Sequence, residues 1–482
     1  MPSVIGPYDG RKARRKRCDA CVKRQIRCHG GIPCDNCRRT NQSCKMTTKN
    51  LGSSLVFVRQ ESNCGTKGTA VTSVGAQVSF PLHSHTNVAN ADRSVPYFFE
   101  TFLPMNIFSS KNIPIHGDLL AMSRSSPALR DAIDAVAMLH AQRQSSVPSM
   151  GKRGEAKQIV ALQAYARSVR CIQEEIAFGT FVDNKSALWV TFLLGLFELM
   201  RDSTGTNWLS HFLHGTSTML RLQRPEDLIS QDPQNIQRRS FFLATRIFEI
   251  SRSLIFSSPT FLSTPDWTVA LAKLWEGEGV IIWHPKEALF DILPHFSELS
   301  IRTLNFCENF TPSITNAQCA QIRSLADEGL GLQSALQQWC ADATTWEINA
   351  QSWAAPSAVQ NKVDVESLIG YIYYHATNIY LSGTYDYHPH WTQANAPILS
   401  RNRIEFHVSE ILRLSEELLR QGVAGILLFF PLRVAGARAT DDLSRSTILS
   451  LLQTIATRGF IVAEPFITEL ADLWTCKHDA VG

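Results

Sequence analysis

The sequence of 482 residues lacks the long apolar segments of membrane and secreted proteins. Its first residues, MPSVIGPYDGRKARRKR, contain no apolar stretch of the kind found in secretory signal peptides. No segment approaches the roughly 20 apolar residues that a helix needs to span a bilayer. We therefore expect an intracellular protein without a membrane partner. In a reducing compartment, clustered cysteines bind metals or act in catalysis more often than they form disulfides.

Familiar catalytic motifs are also missing. The sequence contains no G-x-S-x-G, H-E-x-x-H or G-x-x-x-x-G-K-[ST] motif, and no G-x-G-x-x-G after a strand. Strand-like alternation of apolar and polar residues is nearly absent. No run of a/d heptads follows the N-terminal segment. These absences argue against an enzyme, against a β-rich fold and against a coiled-coil dimerisation element.

Charge is distributed unevenly along the chain. Residues 1–50 contain thirteen Lys and Arg against three Asp, a net charge of +10. Because the whole chain carries +4, the other 432 residues carry −6. A small basic segment on a mildly acidic chain indicates that the N-terminal segment alone has a polyanion as its partner.

Six of the twelve cysteines lie within 27 residues and repeat one spacing, Cys, two residues, Cys, six residues, Cys. They are Cys18, Cys21, Cys28, Cys34, Cys37 and Cys44. Thiolates are the usual ligands of structural zinc, which is four-coordinate. Six thiolates serve one zinc with two left over, or two zinc ions if two sulfurs bridge, and the repeat favours two. Copper(I) or another soft metal stays an alternative on ligand type. The other six cysteines are scattered and predict small apolar core residues.

The spacing Cys-x2-Cys-x6-Cys-x5-Cys-x2-Cys-x6-Cys, with basic residues around it and Pro33 before the fourth cysteine, resembles the fungal binuclear zinc cluster transcription factors. The resemblance covers roughly residues 11–46. It implies a cofactor of two zinc ions bridged by the first and fourth cysteines, Cys18 and Cys34. It also implies that Cys21 and Cys28 complete one zinc site. Cys37 and Cys44 then complete the other.

The resemblance further implies double-stranded DNA as the partner. The family reads CGG-type triplets in the major groove through the segment between the second and third cysteines, which here is residues 22–27. By position, Arg24 and Gln25 face the base edges, and Lys23 and Arg27 lie nearer the phosphates. Gln25 stands where the family usually has Lys, and Gln prefers adenine and carries no charge.

Two further groups of basic residues have expected roles. Arg38 and Arg39, in the second half of the repeat, are expected to contact phosphates without reading sequence. The run RKARRKR predicts a nuclear import signal, a basic arm along the phosphate backbone, or both, and hence a nuclear location. Its basic residues are Arg11, Lys12, Arg14, Arg15, Lys16 and Arg17.

The predicted fold is mostly α and has three parts. Residues 1–50 form the basic arm and binuclear zinc cluster, and residues 51–94, rich in Ser, Thr, Gly and Asn, form a flexible linker. Residues 95–482 form a large all-α domain, because apolar residues recur there at helical spacing. Irregular stretches are expected near 258–290 and 341–362.

Two local patterns specify helices within this domain. Ser126 is a candidate N-cap ahead of Pro127 at the first helical position. Apolar residues between Ile159 and Ile176, at steps of three and four, predict one apolar stripe on a second helix.

The helical domain also resembles the regulatory domain of the same family. The most family-like combination is a Trp, a His three residues later, then Gly and a Leu-rich turn, at Trp208, His211, Gly215 and Leu220. The resemblance implies that this domain ties effectors or partners to activation. The sequence does not separate a homodimer partner, coactivators and a small-molecule effector.

Together these patterns predict a nuclear, sequence-specific DNA-binding regulator of genes transcribed by RNA polymerase II, not an enzyme. It is expected to read a short GC-rich, CGG-like triplet, and control of a biosynthetic gene cluster or a nutrient pathway is the expectation from the family. Two alternatives stay open. One is an α-helical enzyme tethered by a zinc module, and the other is a zinc-dependent protein-interaction scaffold.

Overall fold

A computed structural model describes ten ranges of the chain. They are residues 35–40, 88–106, 115–144, 152–181, 184–201, 208–230, 232–276, 283–309, 316–353 and 364–479. Throughout these ranges the regular structure is helical and no strand occurs, which confirms the mostly α fold class. No helix among the described residues is both long and apolar enough to cross a membrane.

The chain divides into two units, and all described residues from Val88 onward belong to the larger one. In the N-terminal unit the described residues contain one helix, α1 (Asp35–Arg39). In the larger unit a π-helical turn, Phe98–Phe102, separates the first two α-helices. The α-helices of this unit are α2 (Val88–Tyr97), α3 (Leu103–Met105), α4 (Ile115–Ser125), α5 (Pro127–Gln144), α6 (Lys152–Ala177), α7 (Lys185–Arg201), α8 (Trp208–Arg221), α9 (Pro225–Ile229), α10 (Pro233–Phe256), α11 (Pro265–Glu276), α12 (Pro285–Glu308), α13 (Asn316–Trp353), α14 (Val365–Tyr385), α15 (Pro389–Gln393), α16 (Arg401–Arg420), α17 (Phe429–Arg438), α18 (Asp442–Thr457) and α19 (Ala463–Asp479).

Side-chain caps fix where several of these helices begin. The Oγ of Ser126 accepts a hydrogen bond from the backbone N–H of Leu129 (3.2 Å), and Pro127 is the first residue of α5. This confirms the predicted N-cap, since the cap satisfies a backbone donor that the first helical turn leaves free. Asp364 caps α14 in the same way, because its Oδ2 accepts from the N–H groups of Glu366 (2.9 Å) and Ser367 (3.1 Å).

The helices of the larger unit pack around one continuous apolar core. Helix α5 packs against α6 and α7, and α10 packs against α8 and α12. Helix α14 contacts α12, α13, α16 and α17, and nearly all of its side chains are buried. Because α14 is buried around its whole circumference, it lies at the centre of the C-terminal half of this unit.

The predicted stripe on α6 is partly buried. Ile172 is 3% exposed, whereas Ile159 and Ile176 at its two ends are 54% and 37% exposed. The periodicity therefore located the helix correctly, but the stripe is longer than the surface against which α6 packs.

The prediction of irregular structure near 258–290 and 341–362 was wrong for most of the described residues there. Helix α11 and the first turn of α12 lie in the first stretch, and α13 continues to Trp353 in the second. Pro265 and Pro285 are the first residues of their helices, where a missing N–H costs nothing. In α13, Trp339 and Ala343 lie four residues apart on the buried face, which is helical spacing that small polar neighbours hide in the sequence.

Residues on both sides of the predicted boundary between 94 and 95 belong to the helical unit. Helix α2 begins at Val88 and crosses that boundary. The hydroxyl of Ser94 donates to Asp134 on α5, and Phe98, Phe99 and Phe102 are buried in the core. Residues 51–87 of the predicted linker lie outside the described residues.

A buried group of charges ties three helices of the larger unit together. Arg246 on α10 donates to Glu287 (2.6 Å) and to Asp291, both on α12. The ammonium of Lys286 lies 3.0 Å from Glu287 and 3.3 Å from Glu366 on α14. Burial alone would lower the pKa of Arg246, but the two carboxylates outweigh it and raise that pKa. These five side chains join α10, α12 and α14 as charged partners inside the fold.

Candidate metal centre and nucleic-acid interface

Helix α1 contains one predicted zinc ligand and two predicted phosphate contacts. Cys37 is 1% exposed, whereas Arg38 and Arg39, the next two residues, are exposed. One turn of helix therefore places a thiol inward and two guanidinium groups outward. A helix of five residues is far too short to be stable by itself. Interactions made by the buried Cys37 thiol or by the residues around it must therefore stabilise α1.

The other predicted site residues lie outside the described residues. These are the ligands Cys18, Cys21, Cys28, Cys34 and Cys44, the predicted base and phosphate contacts Lys23, Arg24, Gln25 and Arg27, and the basic run Arg11, Lys12, Arg14, Arg15, Lys16 and Arg17. Their roles stay predictions.

The donor set of this segment fits zinc. Six thiols occur within 27 residues, and the one that the structure describes is buried next to cationic side chains. Thiolates bind zinc in closed, tetrahedral structural sites that leave no position for a substrate. Six thiolates and two Zn²⁺ sum to a charge of −2, so the surrounding Arg and Lys make the segment cationic. Elsewhere in the described ranges no group of three or more His, Cys, Asp or Glu is arranged to hold a metal.

The four scattered cysteines that the structure describes are free thiols. They are Cys171, Cys307, Cys319 and Cys340. All four are half-buried. Cys171, Cys307 and Cys340 pack against the apolar core, in line with the expectation of small core residues, whereas Cys319 is not among the residues packed against it. Burial raises the pKa of the thiols of Cys171, Cys307 and Cys340, which keeps them protonated at neutral pH.

One of these thiols lies beside an imidazole. The Sγ of Cys307 is 4.0 Å from the Nε2 of His390. Burial raises the pKa of the thiol and lowers the pKa of the imidazole, so both groups are neutral. A catalytic cysteine needs the opposite shifts, toward thiolate and imidazolium. We therefore assign the contact between Cys307 and His390 to packing and not to nucleophilic catalysis.

The family-like combination in the helical unit lies on α8, which begins at Trp208. Leu220 is fully buried, and Gly215 has open space where a Cβ would lie. The side chains of Trp208 and His211 lie outside the described residues.

The structure also contains a histidine pair that sequence reasoning missed. The Nδ1 atoms of His375 on α14 and His407 on α16 lie 2.8 Å apart, and both side chains are buried. Burial lowers the pKa of His375 to about 4 and that of His407 to about 3, so one neutral imidazole donates to the other. No motif marks this pair, because the two residues are 32 positions apart.

Comparison with protein families accounts for both units. The Fungal Zn(2)-Cys(6) binuclear cluster domain matches residues 16–53, which include all six clustered cysteines, and this domain binds two zinc ions. The Fungal specific transcription factor domain matches residues 95–472, well over half of the chain. Searches of curated proteins and of solved structures found no match. The chain therefore belongs to the family of fungal-specific transcription factors, as a DNA-binding transcription regulator with a two-zinc, six-cysteine cluster near its N-terminus.

Proposed function

We propose that the protein acts in the nucleus, where it reads a short GC-rich triplet related to CGG in the promoters of genes transcribed by RNA polymerase II. The observation that carries the proposal is the duplicated cysteine spacing inside a segment of charge +10. The match to the zinc cluster domain, over residues 16–53, includes all six of these cysteines. A compact metal-held module with this charge suits a major-groove reader, because phosphate contacts supply affinity and a few side chains supply specificity.

The metal in this proposal is held by the six clustered cysteines. Cys18 and Cys34 bridge the two zinc ions, Cys21 and Cys28 complete one site, and Cys37 and Cys44 complete the other. The burial of Cys37 on α1 supports the assignment, since a zinc ligand must leave solvent while its basic neighbours stay exposed. The zinc ions hold the module in shape and take no part in a reaction.

Base reading in this proposal belongs to residues 22–27. Arg24 and Gln25 contact base edges, and an Arg can bond guanine O6 and N7 with two parallel hydrogen bonds. Lys23, Arg27, Arg38 and Arg39 contact phosphates. The exposure of both arginines in the last turn of α1 supports their part, because they can approach a backbone without unfolding the helix.

Two matched Arg→Ala variants of the zinc-loaded chain test these roles. Arg24→Ala should relax specificity at one base pair by about 1–3 kcal/mol, because it removes a bidentate base contact. Arg38→Ala should weaken binding to all duplexes alike and reduce the slope of log affinity against log salt by about 1. Uniform loss across sequences for both variants would contradict the assignment of Arg24 to base reading.

The absence of coiled-coil heptads from the sequence after the cluster bears on dimerisation and on the spacing of the DNA sites. Without a coiled coil after the cluster, we propose weak or ligand-dependent dimerisation and binding to single or loosely spaced triplets. Residues 11–17 supply nuclear import, which replacement of their six basic residues by Ala in a fluorescent fusion would test.

Control of a biosynthetic gene cluster or nutrient pathway, through coactivators bound to the helical unit, completes the proposal. Mapping of the bound promoters would identify these targets.

A further inference from the structure

Thr264 and Pro265 are exposed at the point where the chain enters α11. The next residue, Asp266, is exposed as well. Leu262 and Trp267, on either side of these three residues, are buried in the core. Because its flanks are packed into the fold, the exposed Thr-Pro-Asp segment presents a defined backbone conformation at the surface.

The backbone at Thr264 is extended. Its φ of −74° and ψ of 148° lie in the region that a following proline favours. The carbonyl of Thr264 accepts hydrogen bonds from the N–H groups of Trp267 (3.1 Å) and Thr268 (3.0 Å), so α11 begins directly after it. Protein kinases bind the residues around the acceptor hydroxyl in an extended form, and proline-directed kinases also require a proline directly after it. Thr264 and Pro265 satisfy both requirements in the folded chain.

The hydroxyl of Thr264 contributes little to the fold. It donates one hydrogen bond, to the backbone carbonyl of Phe261 (2.8 Å), at an exposed position. The backbone N–H of Thr264 donates to the same carbonyl (3.1 Å). Esterification of the hydroxyl therefore leaves the carbonyl of Phe261 with a donor.

Two other Ser/Thr–Pro dipeptides occur among the described residues, and their hydroxyl groups are less accessible. Ser126 is half-buried, and its Oγ accepts hydrogen bonds from the N–H of Leu129 (3.2 Å) and the hydroxyl of Ser186 (2.9 Å). Esterification there would remove the cap of α5. Ser258 is also half-buried, and its hydroxyl donates to the backbone carbonyl of Phe256 (3.3 Å). Of the three dipeptides, Thr264–Pro265 is the one with an exposed hydroxyl-bearing residue.

We propose that Thr264 is an acceptor site for a proline-directed serine/threonine kinase. The Oγ1 atom of Thr264 forms a bond to the γ-phosphorus of a nucleoside triphosphate, while the bond from that phosphorus to the β,γ-bridging oxygen breaks. A nucleoside diphosphate leaves, and the hydroxyl proton passes to a carboxylate of the kinase.

A phosphate at Thr264 is compatible with the fold of the helical unit. It adds a charge of about −1.5 to −2 at the N-terminal end of α11, where the helix dipole favours negative groups. Asp266 already lies in the first turn of α11, so the net gain in stability is small. The ring of Trp267 stacks on that of Phe242 on α10, with centroids 5.1 Å apart, and this contact is independent of the hydroxyl. We therefore expect the modified unit to stay folded.

Phosphorylation kinetics of the folded chain against matched peptides test the proposal. The zinc-loaded full chain and synthetic peptides of residues 260–270 and 121–131, each with one Ser/Thr–Pro dipeptide, are incubated with a purified proline-directed kinase and ATP. Mass spectrometry of proteolytic fragments measures phosphate at each position. We expect kcat/KM at Thr264 in the chain to lie within about tenfold of that of its peptide, since no local unfolding is needed. At Ser126 the chain should react at least about a hundredfold more slowly than its peptide, because the kinase must wait for local unfolding.

Two Pro→Ala variants test whether the proline is recognised. Pro265→Ala should lower the rate at Thr264 at least about tenfold, because the kinase loses the residue that it requires. Ala is well accepted in a helix, so α11 should persist in this variant. Pro259→Ala is the matched control, since Pro259 is also exposed and precedes the same helix. It should leave the rate at Thr264 unchanged.

A rate at Thr264 more than about tenfold below that of its peptide would overturn the proposal, since the folded chain would then hide the hydroxyl. Equal rates at Thr264 in Pro265→Ala and in the unchanged chain would also overturn it, because the proline would then not be recognised. If Pro265→Ala fails to fold, the comparison with the peptide still decides. The measurement contains no DNA, so its result is independent of the triplet reading proposed above.

Discussion

The cysteine-rich segment and the helical unit of this protein obtain their stability from different sources. In the first, α1 has five residues and one buried thiol, so bound zinc must supply most of the folding free energy. In the second, α14 and its neighbours bury aromatic and aliphatic side chains around a continuous core, so apolar packing supplies the stability. One chain therefore combines a unit stabilised by bound zinc with a unit stabilised by apolar packing.

The largest expected effect is that of Cys37→Ala, which should disrupt the zinc cluster and leave the helical unit intact. We expect Cys37→Ala to lose zinc and DNA binding, because apparent zinc binding energies of about 10–16 kcal/mol are also folding energies in such modules. The helical unit should keep its helix content and unfolding temperature. Metal analysis together with circular dichroism measures both quantities.

Cys319→Ala is the control for this variant, since Cys319 is a half-buried free thiol on α13. It should retain two zinc ions per chain. A Cys37→Ala protein that also retained two zinc ions and its DNA affinity would refute the role of Cys37 as a ligand.

A second variant destabilises the helical unit and leaves the zinc cluster intact. Arg246→Met removes a guanidinium that is 1% exposed, leaves Asp291 without its cationic partner and leaves Glu287 with Lys286 alone. Unpairing a buried charge costs about 3–5 kcal/mol, so urea should unfold the helical unit at a clearly lower concentration, with unchanged zinc content.

Arg401→Met is the matched control for Arg246→Met. Arg401 pairs with Glu405 at 2.9 Å, but it is 73% exposed, and such surface pairs contribute about 0.5 kcal/mol or less. Equal losses of stability for the two variants would show that the buried charges do not hold α10, α12 and α14 together.

The pH dependence of the helical unit also reflects its buried side chains. Burial lowers the pKa of His375 and of His140 to about 4 and that of His407 to about 3, whereas the unfolded chain takes up these protons near pH 6.5. The unfolded state therefore binds more protons as the pH falls from 6.5 toward 4, and the free energy of unfolding decreases over that range. The slope is at most about 1.4 kcal/mol per pH unit for each histidine.

Urea unfolding at pH 7 and pH 5 measures this effect. In His407→Leu the decrease should be smaller by about 1–2 kcal/mol, because one titrating group is gone. His116→Gln, at an exposed position, should leave the decrease unchanged. A decrease of the same size in His407→Leu and in the unchanged chain would contradict a neutral, buried His407.

The smallest expected effect concerns a helix cap. Oδ1 of Asp441 accepts a hydrogen bond from the N–H of Ser444 (2.8 Å), and this bond lowers the pKa of Asp441. Asp441→Ala should cost about 1 kcal/mol in the unfolding of the helical unit. Asp472→Ala, at an exposed position within α19, is the control and should be nearly neutral. The cap would be refuted if both variants were equally stable.

The sequence indicates the candidate ligands of the zinc cluster, but in the helical unit it indicates only local features. In the N-terminal segment the ligands are neighbours in the sequence, so their spacing alone indicates a zinc cluster. In the helical unit the cap at Ser126 and the helix through Ile172 follow from local patterns. The partners of Arg246 and of His375 do not, because they come from helices that are distant in the sequence and meet only after packing.

Sequence-specific reading by the zinc cluster is tested most directly by a selection of randomised DNA duplexes with the zinc-loaded chain at two salt concentrations. We expect recovery of a short GC-rich triplet that persists at the higher salt, because base contacts do not depend on counterion release. Enrichment of no sequence, with binding that collapses as the salt concentration rises, would show a purely electrostatic polyanion binder and contradict sequence-specific reading by residues 22–27.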